Sequence, residues 1–200
     1  MDIPFVVAVS RDELHQFSKQ PCDAIELVEG LGVRGDAHAG TLVQHRSRVR
    51  RDPNQRNLRQ VHLIQASLLD EARAAGHDIG PGSLGENILT GDLDVLALPE
   101  GTRLRIGEAV IRVTGLRNPC RQINEHSPGL LKVVVRRVDG VASDSEVELG
   151  PTGGVSSVDG VGIVRRAGVM AVVEHSGTVQ AGDPIEVELP QGPQTPLAPV

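Results

Sequence analysis

Aromatic side chains are nearly absent from this chain of 200 residues, which contains no Trp, no Tyr and only two Phe. Proteins that bind single-stranded nucleic acid stack the bases on aromatic side chains, so the composition disfavours that class. The formal net charge of -6 also disfavours a protein that binds phosphate backbones through general positive charge. We therefore expect no nucleic-acid partner and a core built from aliphatic side chains.

Cysteine and lysine are also scarce. The two cysteines, Cys22 and Cys120, are far apart and form no CxxC motif, which argues against a disulfide framework and against a Cys-rich zinc site. Lys19 and Lys132 are the only lysines, so a lysine Schiff base has few candidates.

Long apolar runs are missing as well. No stretch of 18 apolar residues could span a membrane, and the first residues lack the basic and apolar regions of a secretory signal. These features predict a cytoplasmic protein without a membrane partner. Residues 1–189 read as a single domain, and residues 190–200, with four prolines, as a disordered tail.

The residues that are abundant favour short strands joined by tight turns, since the chain has 23 Gly and 13 Pro beside many Val and Ile. Strands are predicted at 5–9, 24–28 and 60–65. Two alternating runs around Gly107 and Glu108 predict a β-hairpin, and the same alternation recurs from Val169 and from Ile185. The fold class that follows is mainly β, barrel-like, with a few helices.

Two helices are predicted. Ser67 can cap the first, with Asp70 as its capping-box partner, and an apolar stripe runs to Gly76. Residues 128–138 carry apolar side chains at helical spacing, although their valines make a buried strand nearly as plausible. Residues 139–160 read as a long polar excursion.

Three polar features have competing interpretations. The letters of Gly80 to Gly85 match a dinucleotide fingerprint, but a helix precedes them and a strand follows, so we expect no nucleotide. Asp36, His38, His45 and His62 could ligate a metal, or Asp36 and His38 could simply hold a glycine-rich loop. The arginines between 46 and 59 could bind phosphate, but a solvated loop is the more common outcome.

Cys120 is the better candidate for a reactive thiol. It follows a predicted strand that ends at Pro119, and loops at strand ends are where sites tend to lie. Arg117 and Arg121 would favour the thiolate form, whereas Asp23 beside Cys22 would disfavour it.

Several short motifs, taken in their order along the chain, resemble the MOSC domain, the C-terminal domain of molybdenum cofactor sulfurases. They cover about residues 22 to 189 and include one cysteine in the Pro-Cys position. The motifs are Gly35 to Gly40, Arg59 to Ile64, Gly85 to Ile88 with Gly91, Leu104 to Gly107, Asn118 to Cys120, and Gly182 with Asp183.

The resemblance implies a strand-rich barrel-like fold that binds the molybdenum cofactor in its molybdopterin form or handles its sulfur. The key cysteine of the family corresponds to Cys120, which would be the metal ligand or hold a persulfide. Pyridoxal phosphate, which some relatives carry on a fused domain, would belong to a partner protein. The cofactor-binding residues that the resemblance and the charge pattern suggest are Arg34, Gly35, Asp36, His38, Asn87, Arg117, Asn118 and Arg121.

Three functions follow as alternatives. The chain could be an oxidoreductase that reduces small N-hydroxylated compounds with electrons from a partner protein. It could instead carry the cofactor, or persulfide sulfur on Cys120, for a partner enzyme. The third alternative is an interaction module with no active pocket.

Overall fold

The computed structural model describes residues 3–44, 49–50, 52–141, 147–150 and 154–200. His45 and the arginines at 46, 48 and 51 lie outside these ranges, as does part of the 139–160 excursion. Across the described residues, no helix has the length and apolar character needed to cross a bilayer.

Fifteen strands and three α-helices organise the described residues. The strands up to residue 91 are β1 (Phe5–Arg11), β2 (Gln20–Cys22), β3 (Ala24–Val28), β4 (Gly32–Val33), β5 (Val61–Gln65) and β6 (Ile88–Gly91). The later strands are β7 (Arg103–Ile106), β8 (Ala109–Leu116), β9 (Val135–Arg137), β10 (Val147–Leu149), β11 (Val155–Val158), β12 (Val161–Arg165), β13 (Val169–His175), β14 (Gly177–Gln180) and β15 (Ile185–Glu188). The helices are α1 (Ala66–Ala74), α2 (Gln122–His126) and α3 (Leu131–Val134), with a 3-10 turn at Val95–Ala97.

The main sheet has eight strands in the order β15-β7-β8-β13-β5-β6-β1-β2. Its pairs are antiparallel except β5 with β6, which are parallel and are joined through α1 as a βαβ unit. Backbone hydrogen bonds link residues 4–6, at the start of β1, to residues 182–185, at the start of β15; among them Val6 N donates to Asp183 O at 2.9 Å. The sheet therefore curls, but no continuous ladder closes it, so it is barrel-like only loosely.

Two smaller sheets complete the fold. One has the order β14-β3-β4, and the other, called here the small sheet, has the order β10-β11-β12-β9. The small sheet contains much of the predicted excursion, which therefore includes strands as well as loop. Its inner face and α1 share one aliphatic cluster, while the concave side of the main sheet holds another.

The hairpin is confirmed. Ile106 pairs with Ala109, and Gly107 has φ +58 at the first turn position, a backbone conformation that glycine adopts without strain. The predicted first helix is also present, and Leu68, Leu69 and Ala72 are buried.

The predicted cap of the first helix is wrong. The helix begins at Ala66, one residue before Ser67, and Gln65 stands at the cap position without a side-chain cap hydrogen bond. The Ser67 hydroxyl instead accepts a hydrogen bond from Gln65 Nε2 at 3.1 Å.

The helix expected over 128–138 is only partly present. It is a single turn at Leu131–Val134, and the chain then extends into β9. Arg165, Val164 and Ile163 of β12 offer Val135, Arg136 and Arg137 a strand to pair with. A β-branched residue such as Val135 packs well in a strand, so this pairing prevails over the helical spacing.

Residues 190–200, the tail, make backbone contacts with β8. Leu116 N donates to Ala198 O at 2.8 Å, and Val200 N donates to Leu116 O at 3.2 Å. Strand β8 continues beyond the end of its partner β7, so its last residues have an unpaired edge that the tail covers. Leu197 also packs against the main core.

Candidate functional site

Cys120 lies on the loop that leaves β8 and runs between the main sheet and the small sheet. Arg117 N donates to Gly168 O at 3.0 Å, which holds the start of the loop to the chain before β13. Val155 N donates to Pro119 O at 2.8 Å, and Cys120 itself forms an isolated bridge with Gly154. The loop is therefore attached on both sides by backbone contacts.

The Cys120 thiol is partly exposed and is not in a disulfide. Among the residues that the structure describes, its thiol makes one weak hydrogen bond, to Gln122 Oε1 at 3.6 Å. A thiol with this exposure and so few contacts is available to an incoming ligand or reagent.

Arg117 supplies a buried positive charge near this thiol. The residue is only 8% exposed, and its Nη1 donates to Leu84 O at 2.7 Å. Burial lowers the pKa of Arg117 while Cys120 and Glu86 oppose that shift, and a guanidinium stays charged at any physiological pH. In the described part of the chain Arg117 makes no ion pair with a carboxylate within salt-bridge distance, and its nearest electrostatic partners are Cys120 and Glu86.

Phe17 covers this guanidinium from one side. The centre of the Arg117 guanidinium lies 5.6 Å from the centroid of the Phe17 ring, within the range of a cation–π contact. The same ring lies 5.3 Å from the ring of His126 on α2. One of the two aromatic residues of the chain therefore shields the charge beneath the Cys120 loop.

The glycine motif at 80–85 has a structural role. Residues 17–19, which precede β2, run directly across this turn. Their backbone is so close that a Cβ on Gly82 would overlap Lys19 O. A Cβ on Gly85 would lie 2.5 Å from Phe17 O. The Glu86 carboxylate accepts hydrogen bonds from Gly82 N at 2.5 Å and from Leu84 N at 3.1 Å. The glycines permit this close backbone approach.

Asp36 is the centre of a buried hydrogen-bond network. It receives Lys19 Nζ at 2.6 Å, Asn87 Nδ2 at 2.9 Å and His38 N at 2.9 Å. Burial alone would raise the pKa of Asp36, but the hydrogen bond from His38 and the charge of Lys19 hold it well below its usual range. Asp36 and His38 thus tie down the glycine-rich loop, as one of the two sequence interpretations expects.

His62 is buried in the protein, and its side chain is hydrogen-bonded to the backbone. Its Nε2 lies 2.8 Å from Ala167 O, and burial lowers its pKa well below the usual value, so the ring is neutral. No group of three or more His, Cys, Asp or Glu that could hold a metal is found in the described ranges, which do not include His45.

Some of the remaining predicted cofactor-binding residues lie near Cys120 or in the Asp36 network, and others lie on the surface. Asn118 is next to Cys120 and accepts Arg165 Nε at 2.8 Å, while Asn87 is in the Asp36 network. Arg34 and Arg121 are exposed and paired with carboxylates, at 2.6 Å from Glu26 and 3.3 Å from Glu125. Gly35 has φ +73 and its Cα faces Arg11 Nη1. The structure brings Arg117, Asn118 and Cys120 together and leaves Arg34 and Arg121 in surface ion pairs.

Sequence analysis missed Lys19, Phe17, Gly154 and Arg165. Their partners are distant in the chain, so no local motif marks them. The scarcity of aromatics and lysines was the one available signal, since it made Phe17 and Lys19 unusual residues in this composition.

Comparison with family models identifies the family of the chain. A family model described as the MOSC domain matches residues 34–186. No curated protein matches the chain.

Solved structures show the same fold. The YuaD protein from Bacillus subtilis is 21% identical, with a TM-score of 0.67 over 95% of this chain and 98% of that chain. YiiM from Escherichia coli is 21% identical, with a TM-score of 0.54 over 97% of this chain and 74% of that chain. YiiM from Geobacillus stearothermophilus is 12% identical, with a TM-score of 0.55 over 92% of this chain and 75% of that chain.

Proposed function

Because the chain belongs to the MOSC domain family, we propose that it binds the molybdenum cofactor in its molybdopterin form, with Cys120 as the metal ligand, and reduces small N-hydroxylated compounds. The observation that carries the proposal is a partly exposed thiol at Cys120 within electrostatic range of the buried guanidinium of Arg117. The electron donor would be a partner protein.

The donor set at the loop suits this group. A thiolate is a soft ligand of the kind that sulfur-rich metal centres take, and the Cys120 thiol has no strong competing contact. The nearby buried charge of Arg117 favours an anionic ligand over a neutral one, because opposite charges attract more strongly where burial lowers the effective dielectric constant.

The other candidates divide into direct and supporting roles. Arg117 and Asn118 adjoin Cys120 and would contact the cofactor, whereas Asp36, His38 and Asn87 would hold the surrounding loops through the network that includes Lys19. Arg34, Gly35 and Arg121 would reach the cofactor only if it extends toward the surface, where the two arginines would exchange their carboxylate partners for its phosphate.

When bound, the cofactor supplies two-electron redox chemistry at a molybdenum centre. The overall reaction would cleave an N–O bond, consuming two electrons and two protons and releasing water. The residues of this chain would fix the ligand: Cys120 through its sulfur, Arg117 through its charge, and Phe17 by keeping water from the guanidinium.

A carrier role is the alternative. A partly exposed thiol with a weak hydrogen bond is also suited to holding persulfide sulfur for a partner enzyme, and Cys120 is not joined to Cys22 in a disulfide. In that case the chain would deliver sulfur or cofactor and would not turn over a substrate.

The test uses wild type, Cys120→Ala and Cys22→Ala, purified from a host that makes the cofactor. Molybdenum content, labile sulfur and reduction of an N-hydroxylated base are measured on all three. We expect Cys120→Ala to lose molybdenum and activity with its Tm unchanged, because a ligand is removed from a loop, and we expect Cys22→Ala to behave as wild type.

Three other outcomes would redirect the interpretation. Labile sulfur that depends on Cys120, with no turnover in wild type, would favour the carrier. Molybdenum and activity that persist in Cys120→Ala would exclude Cys120 as the metal ligand. Wild type without molybdenum, labile sulfur or activity would leave the interaction module.

A further inference from the structure

Arg165, the last residue of β12, connects the small sheet to the Cys120 loop. Its Nε donates to Asn118 Oδ1 at 2.8 Å, and its Nη2 donates to Val155 O at 3.1 Å. The neighbouring Arg166 is paired with Glu71 at 2.5 Å, but Arg165 has no carboxylate partner in the part of the chain that the structure describes. The contacts of Arg165 are therefore directed at the loop and at β11.

Gly154 supports the same loop from the other side. A Cβ at this position would overlap the side-chain amide of Asn118, so only glycine lets Asn118 lie flat against the small sheet. Gly154 also forms the bridge with Cys120, and the next residue, Val155, holds Pro119 through its backbone amide at 2.8 Å. Asn118, Pro119 and Cys120 are each in contact with the small sheet.

A guanidinium is the side chain suited to this connection. Its donors are fixed in one plane, so Arg165 can bridge a side-chain oxygen and a backbone oxygen at once, and less conformational entropy is lost per hydrogen bond than with lysine. Burial lowers the pKa of Arg165, which remains a cation. The charge strengthens both hydrogen bonds.

We propose that Arg165 is a positioning residue for Cys120 and that it acts through its hydrogen bond to Asn118. The small sheet then forms one wall of the site. The proposal rests on Cys120 being the functional group, as in the proposed function above. A metal ligand on a loop needs supporting contacts to hold its geometry, and the hydrogen bonds from Arg165 provide them.

The first experiment measures thiol reactivity, which needs no cofactor. The ratio of the alkylation rates of Cys120 and Cys22 is determined in wild type, Arg165→Ala, Arg165→Lys and Asn118→Ala, with Cys22 as the internal reference. We expect the ratio to rise about two- to tenfold in Arg165→Ala and Asn118→Ala, the range that the loss of one or two ordinary hydrogen bonds allows. Arg165→Lys should recover only part of the change, because lysine keeps the charge without the fork.

Arg166→Ala is the matched control. It removes a neighbouring arginine and its ion pair with Glu71, so it should lower Tm without changing the Cys120 to Cys22 ratio. The double variant Arg165→Ala with Asn118→Ala should resemble either single variant, because both remove the same interaction.

The second experiment measures molybdenum retained after dialysis of protein from a host that makes the cofactor. We expect Arg165→Ala to retain less molybdenum than wild type, corresponding to an affinity that is about 10- to 100-fold lower, as for the loss of a residue that orients a metal ligand.

An alkylation ratio that stays at the wild-type value in both single variants would overturn the proposal, and so would full additivity in the double variant. If Arg165→Ala does not fold, Asn118→Ala carries the same comparison.

The two proposals fail in different ways. A changed alkylation ratio, together with molybdenum that persists in Cys120→Ala, would leave the positioning role intact and refute the cofactor ligand. An unchanged ratio, with molybdenum lost in Cys120→Ala, would do the reverse.

Discussion

At the scale of single residues, the two cysteines differ in the charges and contacts around their sulfur atoms. Cys120 has the buried guanidinium of Arg117 nearby and one weak contact, to Gln122. Cys22 is next to Asp23, and its thiol donates to Ala24 O at 3.4 Å. An anionic transition state at the sulfur is favoured by a nearby cation, so we expect the two thiols to differ in reactivity although both are partly exposed.

We predict that Cys120 reacts several-fold faster than Cys22 with an alkylating reagent at neutral pH. Mass mapping after brief labelling measures the two rates in one sample. Arg117→Met should reduce the advantage of Cys120, because methionine fills similar space without the charge. Faster labelling of Cys22 in the wild-type chain would contradict the electrostatic argument.

Asp36 illustrates a residue whose chemistry serves the fold. Its carboxylate is fully occupied by Lys19, Asn87 and His38, so it joins the glycine-rich loop to β2 and to the start of β6. A buried charge of this kind is stable only while its partners remain. The Asp-x-His spacing therefore marks a structural anchor next to the site.

At the scale of elements, the tail and β8 depend on each other. The backbone hydrogen bonds of Leu116 with Ala198 and Val200 extend the main sheet by a short parallel segment. The same segment lies over Gly115, where a Cβ would overlap Ala198 O. Since Leu116 immediately precedes Arg117, the tail supports the strand from which the Cys120 loop departs.

Removal of residues 191–200 should therefore destabilise the protein. The lost hydrogen bonds and the exposure of the surface under Leu197 are expected to cost about 2–3 kcal/mol, which lowers Tm by about 4–10 °C for a domain of this size. Thermal unfolding of the truncated and full chains measures the difference.

A second truncation, which ends at residue 196, separates the contributions of the two parts of the tail. It keeps Thr195, whose carbonyl accepts from Glu100 N at 2.8 Å, and loses the contacts with Leu116. We expect it to lose most of the same stability. Equal Tm values for all three chains would mean that the tail contributes nothing to stability.

At the scale of the whole molecule, Glu71 ties the main sheet to the small sheet. This residue of α1 accepts hydrogen bonds from Arg166 after β12 at 2.5 Å and from Arg136 of β9 at 2.6 Å. The hydrogen bond from Arg166 is the largest cause that lowers the pKa of Glu71 to about 2 from its ordinary 4.5; burial opposes it, and Arg136 adds to the lowering. Because the pKa is lowered in the folded state, these pairs contribute stability above about pH 4.5, and the contribution disappears as the pH falls toward 2.

Glu71→Gln should lower Tm at pH 7 by about 2–4 °C, since the carboxylate is partly exposed and the pairs are worth about 1 kcal/mol after solvent screening. The difference from wild type should shrink as the pH falls from 4.5 toward 2. Thermal unfolding over this pH range measures it.

Asp70→Asn is the control for this experiment. Asp70 lies beside Glu71 on α1 but pairs only with Arg73 of the same helix at 2.5 Å, so its removal should change Tm little. A Glu71→Gln difference that stays constant down to pH 2 would show that the ion pairs are not its cause.

Much of the fold follows from the sequence alone, because it depends on short stretches of chain. The alternating runs of β7 and β8 and the glycine between them define a hairpin within a dozen residues, and the stripe on α1 defines its buried face. The motif order that identifies the MOSC family, and the position of Cys120 after a strand, can likewise be found without coordinates. Periodicity and turn chemistry are local properties, so a local pattern is enough to predict them.

Only the tertiary structure decided the rest. Valines 133–135 suit a helix or a strand about equally, and the strand pairing with β12 is what ends the helix. Arg34, Arg117, Arg121 and Arg165 are the same residue type, yet their partners differ. Glu26 pairs with Arg34 and Glu125 with Arg121, while Arg117 donates to Leu84 O and Arg165 to Asn118 on the Cys120 loop. The role of a charged side chain depends on which distant residues the fold places beside it, and for Arg165 that residue is Asn118, on a separate element of the chain.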